Sequence, residues 1–175
     1  MNNLNDTNLV GNSNTATDFL GNKWTFDCIG CAIANHEINV PGGLIYESDN
    51  FVINHDPEIP IKGFLIINPK RHIRSLIEMR DDERIELIKL MNLSIQTLKA
   101  LNITTEVTII QEERSSHFHV WLFPHHKWMA EKFGKGIKYI RDICAYAKEN
   151  ATDNEKEEII ITIDKVRDYI KKLYY

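Results

Sequence analysis

The chain has 175 residues and 20.4 kDa, with 43% hydrophobic and 26% charged residues and a formal net charge of −4. That is enough chain for one buried core with appendages, and the composition excludes a collagen, a globally disordered protein and a disulfide scaffold. An acidic balance without a basic block gives no strong nucleic-acid signal, while a phosphate ligand in a local pocket stays open.

Three cysteines cannot all pair within the chain, which suits a reducing compartment. No apolar run reaches membrane-spanning length, and residues 1–24 lack the basic start and apolar centre of a signal peptide. The expectation is a cytoplasmic protein with no membrane contact.

Residues 1–23, rich in Asn, Thr and Gly, hold too few large apolar side chains to offset the entropy of ordering, and read as a flexible tail. Order is expected from Trp24 and Phe26, with Asp27 capping a short helix that carries Cys28, Cys31 and Ala34. Gly43–Glu47, Asn50–Asn54 and Gly63–Asn68 are apolar runs bounded by turn residues, and predict three strands.

Asp81 and Asp82 open a helix in which Leu87, Met91, Ile95 and Leu98 share a face. Thr104–Gln111 and Ser116–Phe123 then predict two more strands, the second ended by Pro124. The short links cannot hold crossovers, so the fold class is α+β with a mostly antiparallel five-stranded sheet.

Residues 130–175 read as a helical extension. One face runs through Phe133, Ile137, Ile140, Cys144 and Ala147, another through Ile159, Ile163, Val166, Ile170 and Leu173. The β-branched run Ile159–Ile163 also fits an extra strand.

The chemistry concentrates in SSHFHVWLFPHH, Ser115–His126. Alternation along a strand puts His117, His119 and Trp121 on one side and Phe118, Val120 and Leu122 on the other. Cys28 and Cys31 form a CxxC, a spacing shared by tetrahedral metal sites, redox pairs and buried cysteines. His72 and His117 are candidates to complete a Cys2His2 set, at gaps of 41 and 45 residues that no zinc finger uses.

With the CxxC, the segment NHDPEIPIKGFLIINPKRHI (54–73) and the motif His117-Phe-His119-Val-Trp121-Leu-Phe-Pro124, the chain resembles the histidine triad superfamily over roughly Asp27–Met129. It is most similar to the zinc-bearing branch of bacterial triad proteins and galactose-1-phosphate uridylyltransferase. The resemblance implies a triad-like domain at 24–129 and a structural zinc held by Cys28, Cys31, His72 and His117.

It also implies that His119 is the nucleophile toward the α-phosphorus of a nucleotide, and that Asp56 binds the ribose hydroxyls. A carboxylate suits a diol because it accepts two hydrogen bonds. Trp121 stands where the third histidine belongs, offering one donor and no titratable proton, and Ser115 or Arg114 replaces a small, Gly-rich phosphate contact.

The implied activity is a nucleotide hydrolase or nucleotidyltransferase working through a nucleotidyl-histidine. Its ligand would be a nucleotide or nucleotide-sugar, and its assembly a homodimer. Two other classes fit the same residues: a non-catalytic nucleotide sensor, and a structural zinc domain for partner binding.

Overall fold

In the computed structural model residues 13–174 are described. Five strands, β3 (Tyr46–Glu47), β4 (Phe51–His55), β5 (Leu65–Pro69), β6 (Val107–Ile110) and β7 (Val120–Pro124), form an antiparallel sheet in the order β3-β4-β5-β7-β6. β4 and β5 are buried along their whole length, because layers cover both faces of the sheet there.

On one face lies the helix α2 (Asp81–Ala100), which begins with Asp81, Asp82 and Glu83 near its positive end and buries Leu87, Leu90 and Leu98. Met91 and Ile95, expected on the same stripe, are partly buried beside them. Phe118, Val120 and Leu122 join this core, while Trp121 and Phe123 join a second one on the opposite face. The alternation read from the sequence therefore holds, although the ladder of β7 starts at Val120 and leaves His117 and His119 in the segment leading into it.

The second core is closed by α3 (Lys127–Phe133) and α4 (Ile140–Asn150). The single face expected through Phe133 and Ile137 is split. Gly134 and Gly136 take φ of +91° and +120°, which a helix cannot continue through, so α4 starts afresh and buries Ile140, Ile143, Cys144 and Ala147. α5 (Asp153–Tyr174) packs Ile159, Ile163, Val166 and Ile170 into the α2 core, leaving Leu173 exposed. The alternative of a strand at Ile159–Ile163 is overruled by this i, i+4 packing.

Two expectations at the amino-terminal end are corrected. Part of the expected tail is a hairpin: β1 (Asn14–Thr17) pairs with β2 (Lys23–Phe26), and the rest, residues 1–12, lies outside the described residues. Local hydrogen bonds supply what apolar bulk does not, since the Asp18 carboxylate accepts from Leu20 N, Asn22 N and Asn22 Nδ2 at 2.8–2.9 Å. Phe19 then anchors the turn to the core through its buried ring and a bond to the Pro57 carbonyl. Asp27 is not the cap of α1 (Ile29–Ala34); that position is Cys28, without a side-chain cap.

Candidate functional site

α1, the loop after β5 and the segment before β7 meet at four side chains. The ligand-capable atoms of Cys28, Cys31, His72 and His117 all lie within 4.8 Å of one another. Cys31 Sγ is 3.2 Å from His72 Nδ1 and 3.5 Å from His117 Nδ1, and Cys28 Sγ is 3.4 Å from His117 Nδ1. In a tetrahedron with zinc–sulfur and zinc–nitrogen bonds of ordinary length that edge is about 3.6 Å, so the four residues fit the ion.

One further observation supports the fit. His117 turns its other ring nitrogen, Nε2, to the Pro69 carbonyl at 2.9 Å, the arrangement that orients a ligating imidazole. Burial, then the adjacent Cys28, push the Cys31 thiol up to about 11. A divalent cation inverts that preference by favouring thiolate.

The frame around the cluster is tight. A Cβ on Gly30 would stand 2.5 Å from His117 Cγ and Cδ2, so the ring packs on α1 only because this residue is glycine. Arg71, beside His72, donates to both oxygens of the buried Glu83 at 3.2 and 2.8 Å and to the Glu78 carbonyl at 2.7 Å. That guanidinium holds the Glu83 carboxyl below its usual range and ties the His72 loop to the start of α2. In the sequence the one signal for this role of Arg71 is an acidic residue in the first turn of the helix that follows.

His119 sits two residues past the cluster and is half-buried. Its Nδ1 donates to the His117 carbonyl at 3.0 Å, which assigns the proton to Nδ1 and the lone pair to Nε2. Ser115 Oγ donates to the same carbonyl at 2.9 Å and lies 3.4 Å from His119 Nδ1. Trp121, 6.1 Å from the His119 ring centre, packs edge-on against Phe64 at 5.1 Å. Ser115 and Trp121 are thus brought to the predicted nucleophile.

Asp56 is placed differently. It is 5% exposed, and its Oδ1 accepts from Glu58 N and Ile59 N, both at 2.9 Å. Burial raises its carboxyl to about 7. The next residue back, His55, lies between the Asp56 and Ile61 carbonyls at 2.7 Å each and is held down to about 4 by burial. Asp56 accordingly organises the 56–61 turn beneath α4, and does not open to solvent.

α4 packs nearby. Its Cys144 is pushed up to about 12 by burial and then by the charge of Asp56, and its Lys148 binds Glu58, two residues past Asp56, at 2.8 Å. At 100° per residue Arg141 and Lys148 fall on one edge of the helix, Tyr146 and Asn150 on the other. Arg141 reaches Glu112, in the loop that carries Ser115, at 3.1 and 3.3 Å. Sequence reading gave Arg141 no role, since one charge beside an apolar stripe carries no signal.

A cavity of about 690 Å³ opens on the Tyr146 edge, between Lys62, His126, Trp128 and Asn150, and none of the predicted site residues lines it. His125 and His126 are engaged by Thr108 Oγ1 at 2.7 Å and the Lys62 carbonyl at 2.8 Å.

Comparison with known proteins agrees with this architecture. An uncharacterized HIT-like protein of Methanocaldococcus jannaschii is 30% identical over 115 residues, covering 62% of this chain and 88% of that protein. A hypothetical histidine triad nucleotide-binding protein of Sulfolobus tokodaii superimposes with a TM-score of 0.59 at 20% identity, over 83% of this chain and 93% of that one. A zinc-bound histidine triad family protein of Mycobacterium smegmatis gives 0.55 at 13% identity, over 81% and 96%. No protein-family model matches the chain.

A five-stranded antiparallel sheet backed by one long helix, with the HxH segment entering its fourth strand, is the histidine triad fold. The chain belongs to the HIT-like family.

Proposed function

We propose that the chain is a nucleotide hydrolase or nucleotidyltransferase that works through a nucleotidyl-histidine on His119. The observation that carries this is the His117 carbonyl at 3.0 Å from His119 Nδ1, which presents Nε2 as a free nucleophile. Nε2 attacks the α-phosphorus; a P–N bond forms as the bond to the leaving group breaks, and the leaving group departs with the electron pair. Water, or an acceptor hydroxyl, then attacks phosphorus, the P–N bond returns its pair to Nε2, and the proton of the attacking group passes to solvent.

Cys28, Cys31, His72 and His117 would hold zinc, which with four protein ligands supplies a cross-link between α1 and the sheet. Ser115 Oγ donates to the same His117 carbonyl and helps to hold it. The nucleotide lies along the edge of α4, with Ser115 at its phosphate. Asp56 meets the ribose only after α4 moves off its carboxyl, a step that slows binding.

The homodimer belongs to the same reading. Arg167 of α5 donates to the Leu44 carbonyl at 2.8 Å and to that of Gly42, bracing the β3 end, whereas Ile109 on the edge strand β6 is 51% exposed. Light scattering at micromolar concentration should give twice the chain mass.

A sensor without turnover is the second reading, favoured by the buried Asp56 and by an indole in place of a titratable group. Incubation with α-labelled dinucleoside polyphosphate, acid quench and mass spectrometry separates the two. Covalent label on His119, absent from His119→Asn, supports the enzyme; binding without label supports the sensor.

A further inference from the structure

We propose that Asn68 of β5 orients the group that attacks the nucleotidyl-histidine, its Oδ1 accepting the O–H hydrogen of a water or an acceptor hydroxyl. The proposal rests on His119 being the nucleophile and adds to that reading a residue from outside the triad motif, at work in the second step.

Asn54 and Asn68 interrupt two strands that are buried along their whole length. Asn54 Nδ2 donates to the His55 carbonyl at 2.7 Å, and Asn68 Nδ2 donates to Asn54 Oδ1 at 3.0 Å. The carbonyl fixes the order of the row: it takes only a donor, so Asn54 turns its oxygen to Asn68, and Asn68 must answer with its nitrogen. Asn68 Oδ1 is left over.

That oxygen has no partner among the described residues, although Asn68 is only 5% exposed. An acceptor left open at such depth costs stability, and a donor that arrives during the reaction would satisfy it.

The sheet register sets the residue opposite the nucleophile. Ile66 faces Trp121 and Ile67 faces Val120 across β5 and β7, so one step further Asn68 faces His119, on the side of the sheet that carries Trp121. The 2.9 Å bond from His117 Nε2 to the Pro69 carbonyl holds the two segments together beyond the last ladder pair.

In-line displacement fits this spacing. The attacking oxygen stands on the far side of phosphorus from Nε2, about 5 Å away, and neighbouring strands lie about 4.8 Å apart. A nucleotidyl group that His119 holds across β5 therefore has its open side over the strand of Asn68.

Which donor comes there follows from room and from chemistry. An opening of 5% admits a water or one hydroxyl, and no base or sugar ring. The ionised phosphoryl oxygens only accept, so of the groups that meet at phosphorus in this step the attacking O–H alone donates. The amide orients it without taking the proton, which passes to solvent as the new O–P bond forms and the P–N pair returns to Nε2.

Fluoride separates this role from a structural one, because it attacks phosphorus with no hydrogen to orient. The full chain is mixed with α-labelled diadenosine tetraphosphate, and label on His119 is followed by rapid quench. In Asn68→Leu the label should form at the wild-type rate and clear about tenfold more slowly, the effect of one hydrogen bond, so that kcat falls while kcat/KM holds. With potassium fluoride present, the ratio of nucleotidyl fluoride to nucleoside monophosphate should rise about tenfold in the variant. An unchanged ratio, with both products slowed alike, makes Asn68 a packing residue and overturns the proposal; clearance at the wild-type rate overturns it too.

Asn68→Leu leaves Asn54 Oδ1 without its donor. If the single variant does not fold, the double variant Asn54→Val, Asn68→Ile removes both amides and repeats the test. The same rise in ratio is expected there, with a Tm at or above that of wild type, since no buried polar group is left open. A lower Tm with an unchanged ratio shows the pair to be structural. Wild type that never carries label sinks the His119 reading before any variant is made, and this assignment falls with it.

Discussion

His117 and His119 are two residues apart and meet opposite surroundings. His117 is 3% exposed, wedged against Gly30, with both ring nitrogens engaged, whereas His119 is half-buried with Nε2 unpartnered among the described residues. Around the first, three separate segments converge on one point and every neighbour is fixed. Around the second lie Ser115 and Trp121, and α4 reaches the Ser115 loop through Arg141 on Glu112. The difference teaches that the proposed metal end is fixed by α1, the segment before β7 and the loop after β5 that Arg71 ties to α2, while the proposed reactive end also involves a helix from beyond the strand bearing the motif.

The largest effects should fall on the metal end. Cys28→Ser removes one of four ligands, so zinc measured by atomic emission should drop from one per chain to well below it. Tm should fall by about 10 °C or more, which at this chain length corresponds to about 4 kcal/mol. Wild-type protein purified without zinc, and no less stable after chelation, would refute the cluster as a structural centre.

Gly30→Ala tests the same point without touching a ligand. The added methyl meets the His117 ring at 2.5 Å, and that ring is packed between α1 and the Pro69 carbonyl, so either α1 or the imidazole must shift. We expect a loss of about 2–3 kcal/mol with weakened metal retention. A variant as stable as wild type with full zinc content would mean that α1 rides on the cluster loosely.

How far the sequence led follows the same division. The strands and α2 were legible because Phe51–His55, Leu65–Pro69 and the stripe on α2 have the period of their elements, and core burial obeys that period. The clustering of Cys28, Cys31, His72 and His117 was legible through the CxxC and the resemblance, since few arrangements bring such side chains together. The hairpin at 14–26 was hidden because one Asp18 carboxylate and one Phe19 ring stabilise it, features that composition averages away. The burial of Asp56 was equally hidden: it depends on Cys144 and Lys148, nearly 90 residues on, whose side chains say nothing of where their helix will lie.

Asp56 gives a pH test of that covering helix. Its carboxyl is raised to about 7 in the fold, chiefly by burial and secondarily by Glu58, against the two backbone donors and Lys148, which lower it; the ordinary value is 3.8. A raised carboxyl binds its proton more tightly folded than unfolded, so its contribution is favourable at low pH and is lost as pH climbs from about 4 toward 7. Asp56→Asn keeps an oxygen to accept from Glu58 N and Ile59 N and cannot ionise. Relative to wild type it should gain about 2 kcal/mol in denaturant unfolding between pH 5 and pH 8. A difference independent of pH would mean that α4 lifts off Asp56 readily and the carboxylate ionises in water.

The smallest expected effect is the most informative about the reactive end. Trp121 lies 6.1 Å from His119 and carries no exchangeable acid, so the water step should be slow and amine leaving groups should be poor. Trp121→His puts a titratable ring on the same face of the segment, and should speed hydrolysis of adenosine 5′-phosphoramidate by about tenfold, or about 1.4 kcal/mol of barrier. Hydrolysis of diadenosine tetraphosphate should rise less, because its leaving group needs no proton. The substitution also removes the indole packed on Phe64, opening a void that costs a few kcal/mol, so Tm must be read beside the rates. An equal rise on both substrates would locate the benefit in the attack of water. No rise on either, in a folded and zinc-loaded variant, would show that the indole itself is the better partner for His119, and that the reactive end was shaped around it.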